Sequence, residues 1–456
     1  SNSAFGRDAL RNNTTANNNT AVGYQALYDN TTGTHNVALG KQAAFNISTG
    51  QKNVAIGSEN LYTATTASSN VAVGYNSLFG TTTGSYNVGI GEGSLQSNTT
   101  ASSNTAVGYV SLTSNTTGTN NVALGSNSLQ PNTTGNANTA LGKGASASNT
   151  TGSNNTSVGF EALVSNTTGI QNLAVGSEAL RANTTASYNT AVGRDSLYTN
   201  TTGSVNTAVG RNSLTLNTTG DNNTAVGGNA LGANTTGASN TAVGHIALDA
   251  CTTGAGNTGI GRSAGSSLTT SSNNTYIGYQ SNSVGVSDDY NVGVGVNSLY
   301  NNAATNNVAI GGDAMVANTT GASNVAIGRN ALDANTTANS NTAVGASSLT
   351  ENTTGSQNTA VGTDAGNKNT TGVDNSFFGQ NAGYTCTEGF SNTFIGRAAG
   401  YYVTTGDGNT FIGGGVSGSQ FSAGFYVTTG SKNTIVGNYN GNQGGLDIRT
   451  SSNNIV

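Results

Sequence analysis

The residues that could carry acid–base chemistry are few and scattered. Histidine occurs only at His35 and His245, far apart in a chain of 456 residues. Catalysis needs a positioned acid, base or nucleophile. Glu161 and Glu178 are 17 residues apart, and on stacked strands they would lie roughly 5 Å apart, a separation that could suit a glycosidase pair. Nothing else in the sequence marks that place as a cleft, so we predict that the protein is not an enzyme and has no catalytic residues.

Metal-binding and cofactor-binding patterns are missing as well. The sequence has neither zinc-ligand spacings nor the Gly-Gly-x-Gly-x-Asp calcium repeat. Asp288 and Asp289 are adjacent in a predicted turn, where successive side chains do not converge on one ligand. Cys251 and Cys386 are about eight repeats apart, well beyond disulfide reach at roughly 4.8 Å per repeat. We predict no metal site, no cofactor and no disulfide within one chain.

One column of residues does gather similar chemistry. The residue that follows a recurrent glycine is often basic or aromatic, and this position holds eight of the 14 basic residues. Outward tyrosine and arginine could stack on sugars or pair with anionic glycans. The favoured interpretation is a solvated or interchain ion-pair column with neighbours such as Asp8 and Asp195. The candidate glycan-contact residues are Arg7, Tyr24, Lys41, Tyr75, Tyr109, Arg194 and Arg211.

The glycine that precedes this column sets the architecture. It returns every 17 residues from Gly6 to Gly295, resumes after a 16-residue step at Gly311, continues to Gly413 and has a last copy at Gly437. A fixed period is typical of a solenoid whose repeats stack on their neighbours. The sequence predicts an all-β protein, a parallel β-solenoid or β-roll of 17-residue coils, forming a rod on the order of 115 Å long.

Within each coil the sequence predicts two short strands joined by polar turns. The three residues before the glycine are Thr or Val, then a small residue such as Ala, then Val, Ile or Leu, which favours a strand. Successive strand side chains point to opposite faces. We expect the branched residue and a leucine four positions after the glycine to fill the coil. The alanine face then needs a cover, and three copies of the chain around an axis are the predicted cover; the alternative is a monomer with an exposed alanine stripe.

An asparagine stands four residues before the recurrent glycine, which we call the anchor glycine. Asparagine tolerates the left-handed backbone region and bonds its own turn, and stacked amides can bond along a column as a ladder. We predict a structural role for this column, and turn chemistry for the second corner, Asn30-Thr31-Thr32-Gly33 and its relatives. The first members of the predicted asparagine ladder are Asn19, Asn36, Asn53, Asn70, Asn87, Asn104 and Asn121.

Charge and hydropathy exclude two classes of partner. A net charge of −5 over so long a chain gives no field that would attract nucleic acid. No apolar run approaches the roughly 18 residues that a membrane-spanning helix needs. We predict neither a nucleic-acid partner nor membrane insertion.

The repeat changes toward the C-terminus, which predicts three segments. Residues 1–366 form the regular shaft, residues 367–437 form aromatic-rich coils with an insertion at Gly418–Phe421, and residues 438–456 form an extension with a last strand-like run. In the second segment Phe377, Phe394 and Phe411 take the alanine position, while glycine takes the leucine position. We expect these rings to interlock at the contact that alanine makes elsewhere, and so to lock one end of the rod.

Two families share parts of this pattern. The unit Asn-Thr-Ala-Val-Gly-x-x-Ala-Leu resembles the head repeat of trimeric autotransporter adhesins, whose coils form a left-handed parallel β-roll in a three-chain bundle, although the spacing here is longer. The full arrangement, with Asn-Thr-Thr-Gly arrays, Asn392–Gly396 and the segment 441–456, resembles tail-fibre proteins of tailed bacteriophages. In those proteins such a segment precedes an endosialidase-type intramolecular chaperone, which trimerises the fibre and then cuts itself off. This resemblance implies that the chain is part of a longer polypeptide and ends near such a cut.

These patterns lead to a prediction of function. We expect a structural fibre protein, a homotrimeric shaft of a phage tail fibre in the virion that attaches to a host surface, with host glycans as a further partner. One alternative is a bacterial surface adhesin or self-assembling extracellular filament; flanking sequence would distinguish them, since a membrane anchor indicates an adhesin and a chaperone a tail fibre. The other is an ice-binding solenoid, in which one threonine per coil would line a plane.

Overall fold

The computed structural model describes residues 1–285, 289–415 and 422–456. Asp288 and the predicted insertion at Gly418–Phe421 therefore lie outside the described residues. The chain divides into two compact units, Ser1–Gly228 and Asn229–Val456. No helix capable of spanning a bilayer occurs in the part of the chain that the structure describes.

The first unit is a parallel β-solenoid. Each three-residue strand pairs in parallel with the strand of the next coil, 17 residues further on, so that Ala21 lies beside Ala38. The predicted fold class is confirmed for this unit. Its strands are β1 (Ser3–Phe5), β2 (Thr20–Val22), β3 (Val37–Leu39), β4 (Val54–Ile56), β5 (Val71–Val73), β6 (Val88–Ile90), β7 (Thr105–Val107), β8 (Val122–Leu124), β9 (Thr139–Leu141), β10 (Thr156–Val158), β11 (Leu173–Val175), β12 (Thr190–Val192), β13 (Thr207–Val209) and β14 (Thr224–Val226).

The second unit repeats this architecture with two irregular steps. The strand register crosses the 16-residue step from Val292 to Val308 and the 24-residue step from Thr410 to Thr434 without losing its pairing. A short antiparallel hairpin follows. The strands are β15 (Thr241–Val243), β16 (Thr258–Ile260), β17 (Thr275–Ile277), β18 (Val292–Val294), β19 (Val308–Ile310), β20 (Val325–Ile327), β21 (Thr342–Val344), β22 (Thr359–Val361), β23 (Ser376–Phe378), β24 (Thr393–Ile395), β25 (Thr410–Ile412), β26 (Thr434–Val436), β27 (Asn442–Gln443) and β28 (Leu446–Asp447).

The anchor glycine ends each strand at a sharp corner. Gly40 has a φ of 137°, and a Cβ added there would lie 2.2 Å from the carbonyl oxygen of Gly57 in the next coil. Only glycine combines that backbone conformation with so close an approach between stacked backbones. The 17-residue glycine period is therefore the spacing at which these corners stack.

The second strand predicted for each coil was wrong. After the corner, Gln25 and Leu27 have φ values of 54° and 49°, which is the left-handed region that bulky residues rarely adopt. Left-handed residues at alternate positions turn the chain inward and prevent an extended strand. The leucine tolerates this conformation because its whole side chain is buried, as it is in Leu61 and Leu78, and burial of a leucine contributes about 1.5–3 kcal/mol. The predicted interior position of the leucine column is confirmed.

The predicted orientation of the strand was also wrong. Ala21, Ala38 and Ala55 are completely buried inside their coils, whereas the branched residues that follow them, such as Leu39 and Ile56, are 46% and 37% exposed. Each coil is narrow, and the leucine already occupies most of its interior. At the packing density of a protein core the opposite wall has room for alanine but not for a second branched side chain. The alanine stripe therefore faces the core of the same chain.

In the C-terminal coils, phenylalanine and glycine fill the core instead of alanine and leucine. Phe377, Phe394 and Phe411 are fully buried within their coils, and their rings stack at 5.6 and 5.0 Å between centroids. A Cβ on Gly400 would lie 2.6 Å from the ring of Phe394, so the ring occupies the space that leucine fills elsewhere. The expectation that these rings meet sister chains was wrong, because phenylalanine plus glycine replaces alanine plus leucine inside one coil.

The stacking continues beyond Gly437. The backbone N–H of Asn454 donates to Oδ1 of Asn433 at 2.9 Å, and Thr434 forms a parallel bridge with Ile455. The segment in between carries the β27–β28 hairpin as an insertion. The C-terminal extension thus adds a further rung with the same asparagine contact.

Candidate functional site

The predicted asparagine ladder is a buried column along the first unit. Oδ1 of Asn19 accepts the backbone N–H of Asn36 at 2.8 Å, and Oδ1 of Asn36 accepts the N–H of Asn53 at 3.0 Å. The amide Nδ2 of Asn36 donates to the carbonyl oxygen of Gly50 at 2.9 Å. Each side chain therefore joins two coils and two corners, which is a structural role. The same backbone contact is made by Asn70, Asn87, Asn104 and Asn121.

A second ladder lies at the other corner and was not predicted as one. From Asn30 onward the first asparagine of the Asn-Thr-Thr motif is fully buried, and we call these residues the corner asparagine column. Nδ2 of Asn132 donates to Oδ1 of Asn115 at 2.9 Å and to the carbonyl oxygen of Gly135 at 3.0 Å. Asn149 makes the same bond to Asn132 at 3.0 Å. The 17-residue recurrence of this asparagine is the signal from which a ladder could be predicted, beyond the turn chemistry that the motif indicates.

Both cysteines occupy positions in the corner asparagine column. Cys251 and Cys386 are free and buried, and burial raises the pKa of their thiols to about 11 and about 12. Below Cys386 in the column, Oδ1 of Asn369 is buried with no hydrogen-bond partner. A thiol replaces the amide that would have donated to it. In the same way, Ile47 stands where an asparagine would donate to Asn30, and Oδ1 of Asn30 is buried without a hydrogen-bond partner.

The residues after the anchor glycines form an exposed ridge, as the candidate glycan contacts require. Tyr24, Tyr75 and Tyr109 are 40–56% exposed. The favoured interpretation as an ion-pair column fits the contacts of the basic members within one chain: Arg7 lies 3.5 Å from Asp8, and Arg194 lies 2.8 Å from Asp195. Lys41 pairs with Glu59 at 3.1 Å, and Arg211 is exposed.

An outer column of rings lies five residues after the anchor glycines, and the sequence interpretation missed it. Tyr28, Phe45, Tyr62 and Phe79 stack with centroids 4.9–5.2 Å apart and planes within 9° of parallel. The guanidinium of Arg11 caps the series at 5.5 Å from the ring of Tyr28. We call this position the ring column. Its signal was an aromatic residue recurring every 17 residues in these four coils.

The predicted carboxylate pair lies beside a shallow pocket in the first unit. Arg181 lies between Glu161 and Glu178, at 3.3 and 3.7 Å, so both carboxylates contact one cation, and Glu178 alone of the pair also lines the pocket. The guanidinium of Arg181 also lies 5.6 Å from the centre of the Tyr198 ring. The adjacent pocket has a volume of about 550 Å³ and is lined by Ser177, Glu178, Arg194, Asp195, Tyr198, Asn212 and Thr215.

The histidines are not part of that pocket. His35 contacts Asn18 on the neighbouring coil through its ring Nε2 at 3.2 Å and is exposed, and His245 is exposed on another coil. Across residues 1–285, 289–415 and 422–456, no group of three or more His, Cys, Asp or Glu side chains could hold a metal ion.

The outward side of the strands is partly apolar: the third residues are mostly Val, Ile or Leu, and the first residues are mostly threonine or valine. In each strand the first and third residues share this side, and we call it the strand face. Leu39, Ile56 and Leu124 are 37–47% exposed as third residues, and Val37 and Val122 are 39% and 38% exposed as first residues. In most coils the strand face therefore presents two partly exposed side chains, a threonine or valine and a branched aliphatic residue.

Comparison with known proteins gives no family for this chain. No protein-family model matches the sequence, and no curated protein matches it significantly.

Proposed function

We propose that this protein is a structural fibre protein whose coils associate side by side with two further copies of the chain through the strand face. The observation that carries the proposal is the exposure of branched residues at the same place in the coils, such as Leu39 and Ile56 in successive coils and Ile90 two coils further on, at 37–46%. Scattered apolar residues are normal on a monomer, whereas contiguous apolar patches of several hundred Å² mark interaction sites.

The geometry of the strand face favours copies of this chain as the partner. The in-register pairing puts an equivalent side chain every 17 residues, as in Val54, Val71 and Val88. A second solenoid with the same repeat presents the same spacing, so coil can meet coil along the whole seam. Closed symmetry is the usual solution for such self-association. The resemblance to trimeric adhesin heads and to tail fibres supports three chains rather than two.

The proposed setting is the shaft of a phage tail fibre in the virion, which takes part in attachment to a host surface. It is supported by the resemblance of the whole chain to such fibres and by coils that carry few charges. The same features suit a bacterial surface adhesin or extracellular filament, and a membrane anchor or a chaperone domain would distinguish these settings.

The ice-binding alternative has less support. In the Asn-Thr-Thr corner the hydroxyl of the first threonine donates to a backbone carbonyl of the next coil, as Thr31 does to Ser48 and Thr116 does to Thr133, both at 3.0 Å. That hydroxyl is already engaged within the solenoid. An ice-recrystallisation assay without effect would dispose of the alternative.

Electron microscopy of the purified protein tests the fibre proposal. Side-by-side association of three chains predicts particles wider than one solenoid, with three-fold symmetry in cross-section. Particles one solenoid wide at every concentration would overturn it.

A further inference from the structure

The shallow pocket of the first unit lies where a ring of the column is followed by a residue without a ring. In the coils that carry Tyr28, Phe45 and Tyr62, each ring is followed by another ring at 4.9–5.2 Å. Tyr198 has the Arg181 guanidinium on one side, and the next residue in its column is Thr215, which has no ring. Tyr198 and Thr215 both line the pocket of about 550 Å³. The pocket therefore opens where the next ring of the stack would lie.

The lining combines an aromatic wall with hydrogen-bonding groups from three successive coils. Glu178, Asp195 and Asn212 all stand two residues after their anchor glycines, and all line the pocket. Their carboxylate and amide oxygens accept hydrogen bonds, and the amide of Asn212 also donates. Pockets that pair an apolar surface with a few convergent polar groups are typical ligand sites.

The charges around the pocket are compensated within the protein. Arg194 pairs with Asp195 at 2.8 Å, and Arg181 pairs with Glu161 and Glu178. An anionic ligand would have to break one of these pairs and would meet the remaining carboxylates. A neutral ligand needs no such exchange.

We propose that this pocket binds a neutral pyranose of a surface glycan. The C–H face of such a sugar would pack on the Tyr198 ring in the place of the missing aromatic residue. Its hydroxyls would donate to Glu178 and Asp195 and bond to Asn212. The inference deepens the proposed attachment role and takes its biological setting from it, but the pocket lies within one chain, so its test does not depend on the oligomeric state.

Ligand-observed NMR on the full chain tests the proposal with free methyl glycosides of glucose, galactose, mannose and N-acetylglucosamine, and with N-acetylneuraminic acid as the anionic probe. For a ligand of monosaccharide size we expect a dissociation constant in the millimolar range for at least one neutral glycoside. Failure of all four neutral probes to bind saturably, or stronger binding of the anionic probe, would overturn the inference. Neither result would bear on whether the protein is a multi-chain fibre.

Two substitutions locate the binding in the pocket. Thr215→Tyr should continue the ring stack over Tyr198 and fill the pocket, with at least a tenfold loss of affinity for the glycoside that binds. Ala147→Tyr is the matched control, because it adds a ring to the same column in a coil outside the pocket, and it should leave affinity unchanged. If Thr215→Tyr retained affinity while its circular dichroism and melting matched the parent protein, the sugar would bind elsewhere and the assignment would be wrong.

Discussion

At the residue scale, the buried amides of the two asparagine ladders hold one coil to the next. Where the next coil also has an asparagine, Oδ1 has a donor from that coil, as Asn115 has from Asn132. A buried acceptor that loses its donor costs about 1–3 kcal/mol. The ladders therefore stabilise the solenoid and also fix the register at which coils stack.

Asn132→Ala tests the corner asparagine column. The substitution leaves Oδ1 of Asn115 without its donor and removes the acceptor of Asn149. We expect the free energy of unfolding to fall by about 1–3 kcal/mol for the orphaned acceptor, measured by urea denaturation. Thr134→Ala, at an exposed position in the same turn, is the control and should change stability by less than about 0.5 kcal/mol. Equal effects would show that the ladder bond contributes nothing.

The cysteines predict a specific pH dependence. The pKa of Cys251 is raised to about 11 and that of Cys386 to about 12 by burial, whereas an unfolded thiol titrates at about 8.5. Above that pH the unfolded state binds fewer protons than the folded state, so stability falls as pH rises toward 11. The doubly substituted protein Cys251→Ala/Cys386→Ala should lose less stability than the parent between pH 8.5 and 11.

Alkylation gives an independent check on the same thiols. Iodoacetamide at pH 8 should leave both cysteines unmodified in the folded protein and modify both in denaturant, because a buried protonated thiol is a poor nucleophile. Rapid modification of the native protein, read by mass spectrometry, would contradict the burial of these side chains.

At the element scale, one coil is a three-residue strand, a glycine corner and a left-handed turn around a packed core. In most coils alanine and leucine fill that core; in the C-terminal coils phenylalanine and glycine do. Tyr276, which is also fully buried, fills space next to the preceding coil, where Gly259 and Gly265 take the alanine and leucine positions and a Cβ on Gly265 would lie 3.2 Å from its ring. Exchanges of this kind, within one coil or between neighbouring coils, indicate that the stacked core constrains total volume more strongly than individual residues.

A double substitution tests this exchange of volume. Phe394→Ala alone should create a cavity and lower the free energy of unfolding by roughly 3–5 kcal/mol. Adding Gly400→Leu should recover a substantial part of that loss, since leucine occupies the same coil position with φ near 50° in Leu27 and Leu61. Gly400→Leu without the phenylalanine change is the control and should be destabilising by itself, because its Cβ would meet the ring. If the double variant lost the sum of the free energies lost by the two single variants, leucine at position 400 would not be replacing the volume of the Phe394 ring.

The anchor glycine gives a prediction for the corner. Gly40→Ala should be strongly destabilising because its Cβ would lie 2.2 Å from the Gly57 carbonyl oxygen at a φ of 137°; the backbone strain alone is about 1–3 kcal/mol. Thermal melting measures the effect. A melting temperature equal to that of the parent protein would show that the corners are not tightly stacked.

The repeat spacing, the parallel stacking and the leucine core could be predicted from the sequence, because one period places equivalent residues above one another. The orientation of the strand could not be predicted from the pattern alone. Both faces of the strand avoid charge, so alternation gave no sign of which face was inside, and the answer depends on the left-handed turn at Gln25 and Leu27. The pocket could not be predicted either, because it arises from the change between Tyr198 and Thr215 in a column that only the stacked structure defines.

At the scale of the whole molecule, the corrected strand orientation moves the proposed seam between chains. The strand alanine is buried in the core of its own coil and is not available for contact with another chain. The branched residues of the strand face are half-exposed, so they are the ones that another chain could cover. Within each unit this face recurs at successive coils, as in Ile310 and Ile327 of the second unit at 39% and 37% exposure. A seam built this way gains area in proportion to the number of coils.

Charged substitutions on the strand face should separate the chains. The triple variant Leu39→Lys/Ile56→Lys/Leu124→Lys places three like charges in the seam, where they would repel their counterparts and lose water. We expect a lower assembly mass with an unchanged circular dichroism spectrum. The triple variant Thr32→Lys/Thr49→Lys/Thr117→Lys, at exposed turn positions, should keep the parent mass. If the seam variant lost both its folded structure and its assembly mass while the control kept both, the chain would be stable only when assembled.

The molar mass of the unmodified protein in dilute solution tests the central claim most directly. Light scattering coupled to size-exclusion chromatography should give about 136 kDa, three times the 45.2 kDa of one chain, and this mass should persist on dilution because the seam is long. A folded, stable species of about 45 kDa at all concentrations would contradict the account, since the strand face would then be exposed to water without a partner.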